Sequence, residues 1–133
     1  MTIVYAREDF LAADEYIDVV RKSGLVRPLD DPKRVERYLK HSNLIVTARD
    51  GTKLVGLARS LTDFCWCCYL SDLAVDPACQ GQGIGKRLIE ETRREAGGEI
   101  TTTLLLSAPT AVTFYQGIQM PQLDNCYAYR RTK

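Results

Sequence analysis

The chain has 133 residues, of which 45% are hydrophobic and 26% are charged, and its formal net charge is +1. This length and composition are typical of a single globular domain, residues 1–133. Because the charge is balanced and no apolar run reaches the roughly 20 residues of a membrane span, we expect no nucleic-acid or membrane partner. The N-terminus lacks a basic segment followed by a long apolar one, which predicts a cytoplasmic protein with reduced cysteines.

The first elements are a strand and a helix. A short β-rich start, TIVYA, precedes apolar residues at helical spacing, namely Phe10, Ala13, Ile17 and Val20. Gly24 follows the last of them and is a typical helix stop. The sequence therefore predicts a strand and then an amphipathic helix that ends at Gly24.

A second helix and three strands follow. Asp31 can cap a helix and Pro32 suits its first position. Two strand-like runs in NLIVTARDGTKLVGLARSL meet at Asp50 and Gly51, a strong hairpin signal. The run WCCYLSDLAV reads as the next strand.

The C-terminal part alternates again. Apolar spacing predicts a helix over residues 83–96, and TTTLLLS is apolar and β-branched enough for a buried strand. PTAVTFYQG reads as a short helix, and CYAYR has the pattern of a strand that closes the sheet. Strands and helices that alternate around one sheet predict a mixed α/β or α+β domain.

Three of the five cysteines lie close together, at Cys65, Cys67 and Cys68. A closed zinc site needs four ligands, usually in two separated pairs, whereas Cys79 and Cys126 stand alone. Adjacent residues of a strand also point to opposite faces, so Cys67 and Cys68 are poorly placed to share one ion. We interpret the cluster as small hydrophobes on a buried strand and predict no metal site.

The strongest functional signal is the segment DPACQGQGIG, in which Gly81, Gly83 and Gly85 alternate where a strand leads into a helix. Glycine lets backbone N–H groups turn toward a ligand without a side-chain clash. The start of a helix adds unpaired N–H groups and the positive end of the helix dipole. Together these features predict a phosphate or pyrophosphate site.

Two common phosphate-binding patterns do not fit this segment. Lys86 replaces the third glycine of the dinucleotide-binding pattern, while Gln80 and Arg87 replace the first glycine and the hydroxyl residue of the P-loop. The pattern that fits is Q-x-x-G-x-G, at Gln80, Gly83 and Gly85. It resembles the pyrophosphate loop of the GCN5-related N-acetyltransferases (GNATs).

The resemblance extends over roughly the C-terminal half of the chain. It covers the strand YLSDLAV, the helix KRLIEETRREA, the strand TTLLLS and the segment APTAVTFYQGIQM, which is similar to the family's F-Y pair before a glycine. The N-terminal half agrees only in the order of its elements. The resemblance implies a mixed, mostly antiparallel twisted sheet, flanked by helices and splayed at the strand that binds the cofactor.

The resemblance also implies the cofactor, acetyl-coenzyme A (acetyl-CoA), and its ligands. The pyrophosphate would lie against the backbone of Gln80, Gly81, Gln82, Gly83, Ile84, Gly85 and Lys86. Pantetheine would run beside Leu73, Ala74 and Val75, with Phe114 packed nearby, and an amide near Leu73 would polarise the thioester carbonyl. A strand offers free amides only where its own pairing is interrupted, so we expect a bulge or a splayed edge there.

The implied reaction is the direct attack of a primary amine on the thioester. Tyr115 matches the family's general acid, and a phenol with an unperturbed pKa near 10 keeps its proton at neutral pH until a thiolate forms. The general base stays open between Asp72, which is the carboxylate of the preceding strand, and water held by Tyr69 or Ser71.

The acceptor is the least determined part. By analogy, residues 22–31 would line its pocket, with Leu25 and Val26 against an apolar group and Asp30 or Asp31 near an ammonium; Asp31 also serves as the helix cap. We favour a small-molecule amine, with a protein amine as the alternative. The family also implies a homodimer. A second hypothesis is a non-catalytic acyl-CoA-binding sensor or interaction module.

Overall fold

Five strands form one sheet in the computed structural model, which describes residues 1–133. The strands are β1 (Ile3–Arg7), β2 (Leu44–Asp50), β3 (Lys53–Thr62), β4 (Cys67–Val75) and β5 (Thr102–Leu104). They lie side by side in chain order, and every neighbouring pair is antiparallel except β4 with β5, which is parallel. The predicted mixed, mostly antiparallel sheet is confirmed.

Helices cover both faces of this sheet. They are α1 (Ala13–Ser23), α2 (Pro32–Lys40), α3 (Ile84–Glu95) and the short α4 (Val112–Gly117). One apolar cluster joins α1 and α2 to one face, and a second joins α3 to the other, so each face is buried where its helices pack. No helix combines the length and the apolar character that a membrane crossing requires.

The predicted signals at the ends of the first two helices are confirmed. Gly24 ends α1 in the left-handed conformation, at φ 82°, which glycine adopts without strain. The Asp31 carboxylate accepts a hydrogen bond from the Arg34 N–H at 3.2 Å, and Pro32 occupies the first position of α2. Phe10, however, lies before α1 and is 79% exposed, so its inclusion in the helical spacing was wrong. The confirmed hairpin at Asp50 joins β2 to β3.

A bulge interrupts β4. The register between β3 and β4 shifts by one residue, which leaves Ser71 without a partner on β3. Before the bulge, Cys68 and Leu70 pack in the cluster under α3, and after it Ala74 packs in the cluster under α1 and α2. Side chains of a strand alternate between its two faces, so the extra residue moves the even-numbered side chains from the α3 face to the face under α1 and α2.

The sheet splays just beyond this bulge. β5 pairs only with residues 67–69, so β4 keeps β3 on one side over residues 70–75 but has no strand on the other. Both predicted features, the bulge and the splayed edge, are confirmed. The second half of β4 consequently presents an unpaired backbone edge.

Two strand predictions were wrong. β5 is short and half exposed rather than buried, with Leu104 at 38% exposure and Leu106, just beyond its end, at 46%, because the chain diverges from β4 after three residue pairs. The segment CYAYR closes no sheet, and Tyr127 and Tyr129 are fully exposed.

The cysteine cluster divides into buried and exposed members. Cys68 packs in the core under α3, as predicted, but Cys65 and Cys67 are exposed. The Asp63 carboxylate accepts hydrogen bonds from the amides of residues 65–67, at 2.8 to 3.0 Å, and so curls this turn away from the core. No group of three or more metal-binding side chains is close enough together to hold an ion.

Candidate active site

A cavity of about 440 Å³ opens where β4 and β5 splay apart. It is bounded by the end of α1, the second half of β4, the glycine loop with the start of α3, and the segment that ends in α4. The predicted site residues that line it are Leu73, Ala74, Val75, Gln80, Gly81, Gly83, Ile84, Gly85, Phe114 and Tyr115. Gln82 and Lys86 are exposed outside the lining. No lining residue carries a charge, so the cavity is electrically neutral apart from backbone dipoles.

The glycine loop presents a row of unpaired backbone N–H groups. Within the protein, the amides of residues 81–83 have no hydrogen-bond acceptor, and those of residues 84–86 belong to the first turn of α3 and have no intrahelical partner. Six consecutive donors therefore surround the positive end of a 12-residue helix. This arrangement suits a group with two adjacent negative charges.

Gln80 differs from the residues that follow it. Its backbone N–H donates to the Pro77 carbonyl at 3.3 Å, so this amide already has an acceptor within the protein, and its contact with the pyrophosphate stays a prediction. Its side-chain Nε2 donates to the Val75 carbonyl at 3.3 Å. Gln80 thus ties the loop to the end of β4 through its side chain.

The three glycines are required for different reasons. Gly81 and Gly83 have φ values of 81° and 77°, which other residues rarely adopt. Gly85 has ordinary helical geometry, but a Cβ atom there would lie 2.9 Å from Cζ of Phe114. The third glycine therefore lets the Phe114 ring rest against the start of α3.

Tyr115 lines the cavity beside Phe114. The two rings meet edge to face with centroids 5.1 Å apart, and Tyr115 also packs against the core under α3. Burial raises the pKa of the Tyr115 hydroxyl above its ordinary value near 10. The hydroxyl has no hydrogen-bond partner within the protein and is protonated at neutral pH.

Asp72 lies outside the cavity, on the α1 side of β4, and is fully buried. Its carboxylate accepts hydrogen bonds from the Tyr16 hydroxyl at 2.6 Å, Arg59 Nε at 2.6 Å, Arg27 Nε at 2.7 Å and the Ser71 hydroxyl at 3.1 Å. Burial alone would raise the pKa of Asp72, but the hydrogen bond and charge of Arg59, together with the charge of Arg27, outweigh it and lower that pKa. Asp72 is therefore a saturated anion with no lone pair directed at the cavity.

The predicted acceptor loop meets the cavity only in part. Leu25 lines it, but Val26 is 86% exposed, and Asp30 and Asp31 lie outside the lining. The sequence interpretation missed several small residues that complete the wall: Ser23, Gly24, Ala108, Thr110 and Ala111. The sequence marked these residues only by their positions, next to the helix stop at Gly24 or just before the F-Y pair.

Comparison with known proteins identifies the family. The model of the acetyltransferase (GNAT) domain matches residues 25–118. The uncharacterized N-acetyltransferase ycf52 of Porphyra purpurea is 35% identical over 98 residues, covering 68% of this chain and 53% of that protein. GCN5-related N-acetyltransferase 2, chloroplastic, of Arabidopsis thaliana is 37% identical over 67 residues, covering 50% of this chain and 26% of that protein. The chain thus spans about half the length of the first of these relatives and about a quarter of the second.

Solved structures agree in fold over nearly the whole chain. The GNAT family protein SP0256 of Streptococcus pneumoniae superposes with a TM-score of 0.78 at 24% identity, covering 99% of this chain and 98% of that one. A predicted acetyltransferase with acetyl-CoA from Clostridium acetobutylicum gives a TM-score of 0.76 at 15% identity, covering 97% and 96%. Because the family model matches most of this chain, the chain belongs to the GNAT acetyltransferase domain family.

Proposed function

We propose that this protein transfers the acetyl group of acetyl-CoA to the primary amine of a small molecule. The observation that carries the proposal is the cavity at the splayed strands. It brings an unpaired strand edge, free backbone donors of the glycine loop and a protonated phenol to one place. GNAT acetyltransferases use acetyl-CoA, which supplies an acetyl group already activated as a thioester.

The residues present fit this co-substrate. The donors of residues 81–86 and the dipole of α3 would hold the pyrophosphate. The unpaired edge of β4 at Leu73, Ala74 and Val75 would form main-chain hydrogen bonds with the amides of pantetheine, in the way an added strand pairs with a sheet edge. An amide of this edge would also donate to the thioester carbonyl as negative charge develops on its oxygen.

Tyr115 would act as the general acid. Because burial raises its pKa, the hydroxyl keeps its proton at neutral pH and can donate it to the departing sulfur. Phe114 holds the ring edge to face against the cavity wall. The proposed role depends on this placement at the cavity, since the chain contains seven tyrosines.

Water would accept the proton of the amine. Asp72 is saturated by its own hydrogen bonds, and Tyr69 does not line the cavity. The Ser71 hydroxyl donates to Asp72 and is not free to hold a catalytic water by that bond. Since the lining carries no charge, we propose an acceptor whose amine adjoins an apolar group, with Leu25 beside that group.

A panel of primary amines tests this function, with free thiol release from acetyl-CoA as the readout. The panel would contain arylalkylamines, alkylamines, polyamines, aminoglycosides and lysine peptides. Saturable release with one class supports the proposal, and Tyr115→Phe should lower kcat while it leaves acetyl-CoA binding intact. Release that stays at the no-amine background for every class contradicts it.

The second candidate is a module that binds acyl-CoA without catalysis. The observation in its favour is that the one carboxylate on β4 is locked in an ion-pair network, so no acidic base faces the cavity. It predicts binding of acetyl-CoA, seen as a rise in melting temperature, without thiol release. The same amine panel separates the two candidates.

We also infer a homodimer. Leu61, Tyr69 and Leu104 lie directly opposite one another across β3, β4 and β5, and each is about 40% exposed. Such an apolar row on the face opposite α3 is a surface that a second copy could cover. Sedimentation at several protein concentrations tests this inference, and a monomer at all of them would refute it.

A further inference from the structure

We propose that Arg27 is a positioning residue, which fixes the cavity wall formed by residues 23–25 so that the acceptor amine is held for attack. The inference rests on the proposed acetyl transfer. It concerns a residue of the connection between α1 and α2 that lies outside the cavity itself. Arg27 would act on the reaction only through the segment that it holds.

The contacts of Arg27 join this connection to the bulge of β4. Its Nε donates to Asp72 Oδ1 at 2.7 Å, and its Nη2 donates to the Ser71 carbonyl at 2.7 Å. Its Nη1 donates to the Val26 carbonyl at 2.6 Å, which folds the side chain back on its own segment. Leu25, two residues earlier, lines the cavity. One guanidinium thus couples the cavity wall to the strand where the sheet opens.

The bulge explains why an arginine suits this position. Ser71 is the extra residue of β4 and has no partner on β3, so an acceptor for a side-chain donor lies beside the Asp72 carboxylate. A planar guanidinium can donate to a carbonyl and a carboxylate at once, whereas a lysine ammonium has a single nitrogen. Arg27 therefore binds both the free carbonyl of the bulge and the neighbouring carboxylate charge.

Arg27 is not needed to neutralise Asp72. Arg59, whose side chain is only 8% exposed, donates to the same carboxylate through Nε at 2.6 Å and Nη2 at 3.2 Å. Loss of Arg27, which is 21% exposed, would leave the buried Arg59–Asp72 pair in place. Arg59 already neutralises the carboxylate, so the main contribution of Arg27 is to fix the position of its own segment relative to β4.

The expected consequence is specific to the acceptor. Without Arg27, residues 23–25 lose the connection to β4 that this side chain makes, and a displacement of about 1 Å in a positioning wall can lower a rate 10²-fold. The donors of residues 81–86 lie on another wall and form no hydrogen bond with Arg27. Acetyl-CoA binding should therefore be unchanged while the amine is held poorly.

The test compares Arg27→Met with Arg27→Lys in the full chain. Arg21→Met is the matched control, because Arg21 is an exposed residue of the last turn of α1 and forms no ion pair. For Arg27→Met, we expect KM for the best amine of the panel to rise about ten-fold or more. The acetyl-CoA Kd by calorimetry should stay within about two-fold, and hydrogen exchange should accelerate over residues 23–29 alone. Arg27→Lys should recover part of the KM, and Arg21→Met should match the wild type.

Two results would overturn this inference. One is an Arg27→Met variant whose amine KM and hydrogen exchange both equal those of the wild type. The other is a parallel loss of melting temperature and acetyl-CoA affinity, which would make Arg27 a general structural residue. If the wild type acetylates no amine, the proposed function fails, while the exchange measurement still decides whether Arg27 fixes the wall.

Discussion

Asp72→Asn should destabilise the protein severely, because the Asp72 carboxylate is the common partner of two cations. The carboxylate is fully buried and accepts hydrogen bonds from Arg59, Arg27, Tyr16 and Ser71. Removing one partner of a buried ion pair costs about 3–5 kcal/mol, since it leaves an uncompensated buried charge. That is a large part of the roughly 5–15 kcal/mol by which a domain is stable.

Urea unfolding near 10 °C would measure this loss as a lower midpoint. For a domain of this size, a loss of 3–5 kcal/mol corresponds to a melting temperature lower by roughly 11–18 °C. The remaining folded enzyme should keep kcat at saturating amine within a few-fold of the wild type, because we assign Asp72 no proton transfer; its amine KM should rise, because Arg27 loses its carboxylate partner. A catalytic base would behave in the opposite way, with a loss of about 10²–10⁴-fold in kcat and little change in stability. That second pattern would refute the reasoning.

Three further predictions concern acid stability, the third glycine and the general acid. The pKa of Asp72 is lower in the folded state, so its contribution to the free energy of unfolding is present above the unfolded pKa near 3.9 and is lost as the pH falls through the lowered folded pKa. In urea unfolding from pH 6 to pH 2, the difference in stability between the wild type and Asp72→Asn should therefore narrow. Gly85→Ala places a Cβ 2.9 Å from Phe114 Cζ and should weaken acetyl-CoA binding about ten-fold in calorimetry, since overpacking costs about 1–3 kcal/mol. Gly117→Ala, which meets no atom within 4 Å, is the control, and equal affinities for the two variants would contradict the packing argument. Tyr115→Phe should lower kcat about 10²-fold or more at an unchanged acetyl-CoA Kd, and a loss of both would indicate packing instead.

Local signals in the sequence predicted the parts of the fold that depend on neighbouring residues. Helix ends and tight turns depend on residues close together in the chain, so they can be predicted without knowledge of the fold. Examples are Gly24, Asp31 and the Asp50–Gly51 turn. The glycine loop belongs to this class as well, because its left-handed residues and the start of α3 are adjacent in the chain. The resemblance to the GNAT family supplied what local signals lack, the sheet and its splay.

Long-range pairing could not be read from the chain. From the sequence of β4 alone, Asp72 is a candidate general base. Its carboxylate is saturated with hydrogen bonds because of Tyr16, which is 56 residues away, and Arg27, which is 45 residues away. The reason for Gly85 lies in the approach of Phe114, 29 positions later, and not in a backbone angle. The cytoplasmic location and the single-domain assignment stay predictions.

The central claim is that the unpaired amides of residues 81–86 and the open edge of β4 bind acetyl-CoA. The measurement that tests it most directly is an NMR titration of the ¹⁵N-labelled full chain with acetyl-CoA, which follows each backbone amide. We predict saturable shifts concentrated in residues 73–75 and 81–86, with the amides of α2 unmoved. Absence of saturable shifts, or shifts confined to residues outside the cavity, would contradict the account.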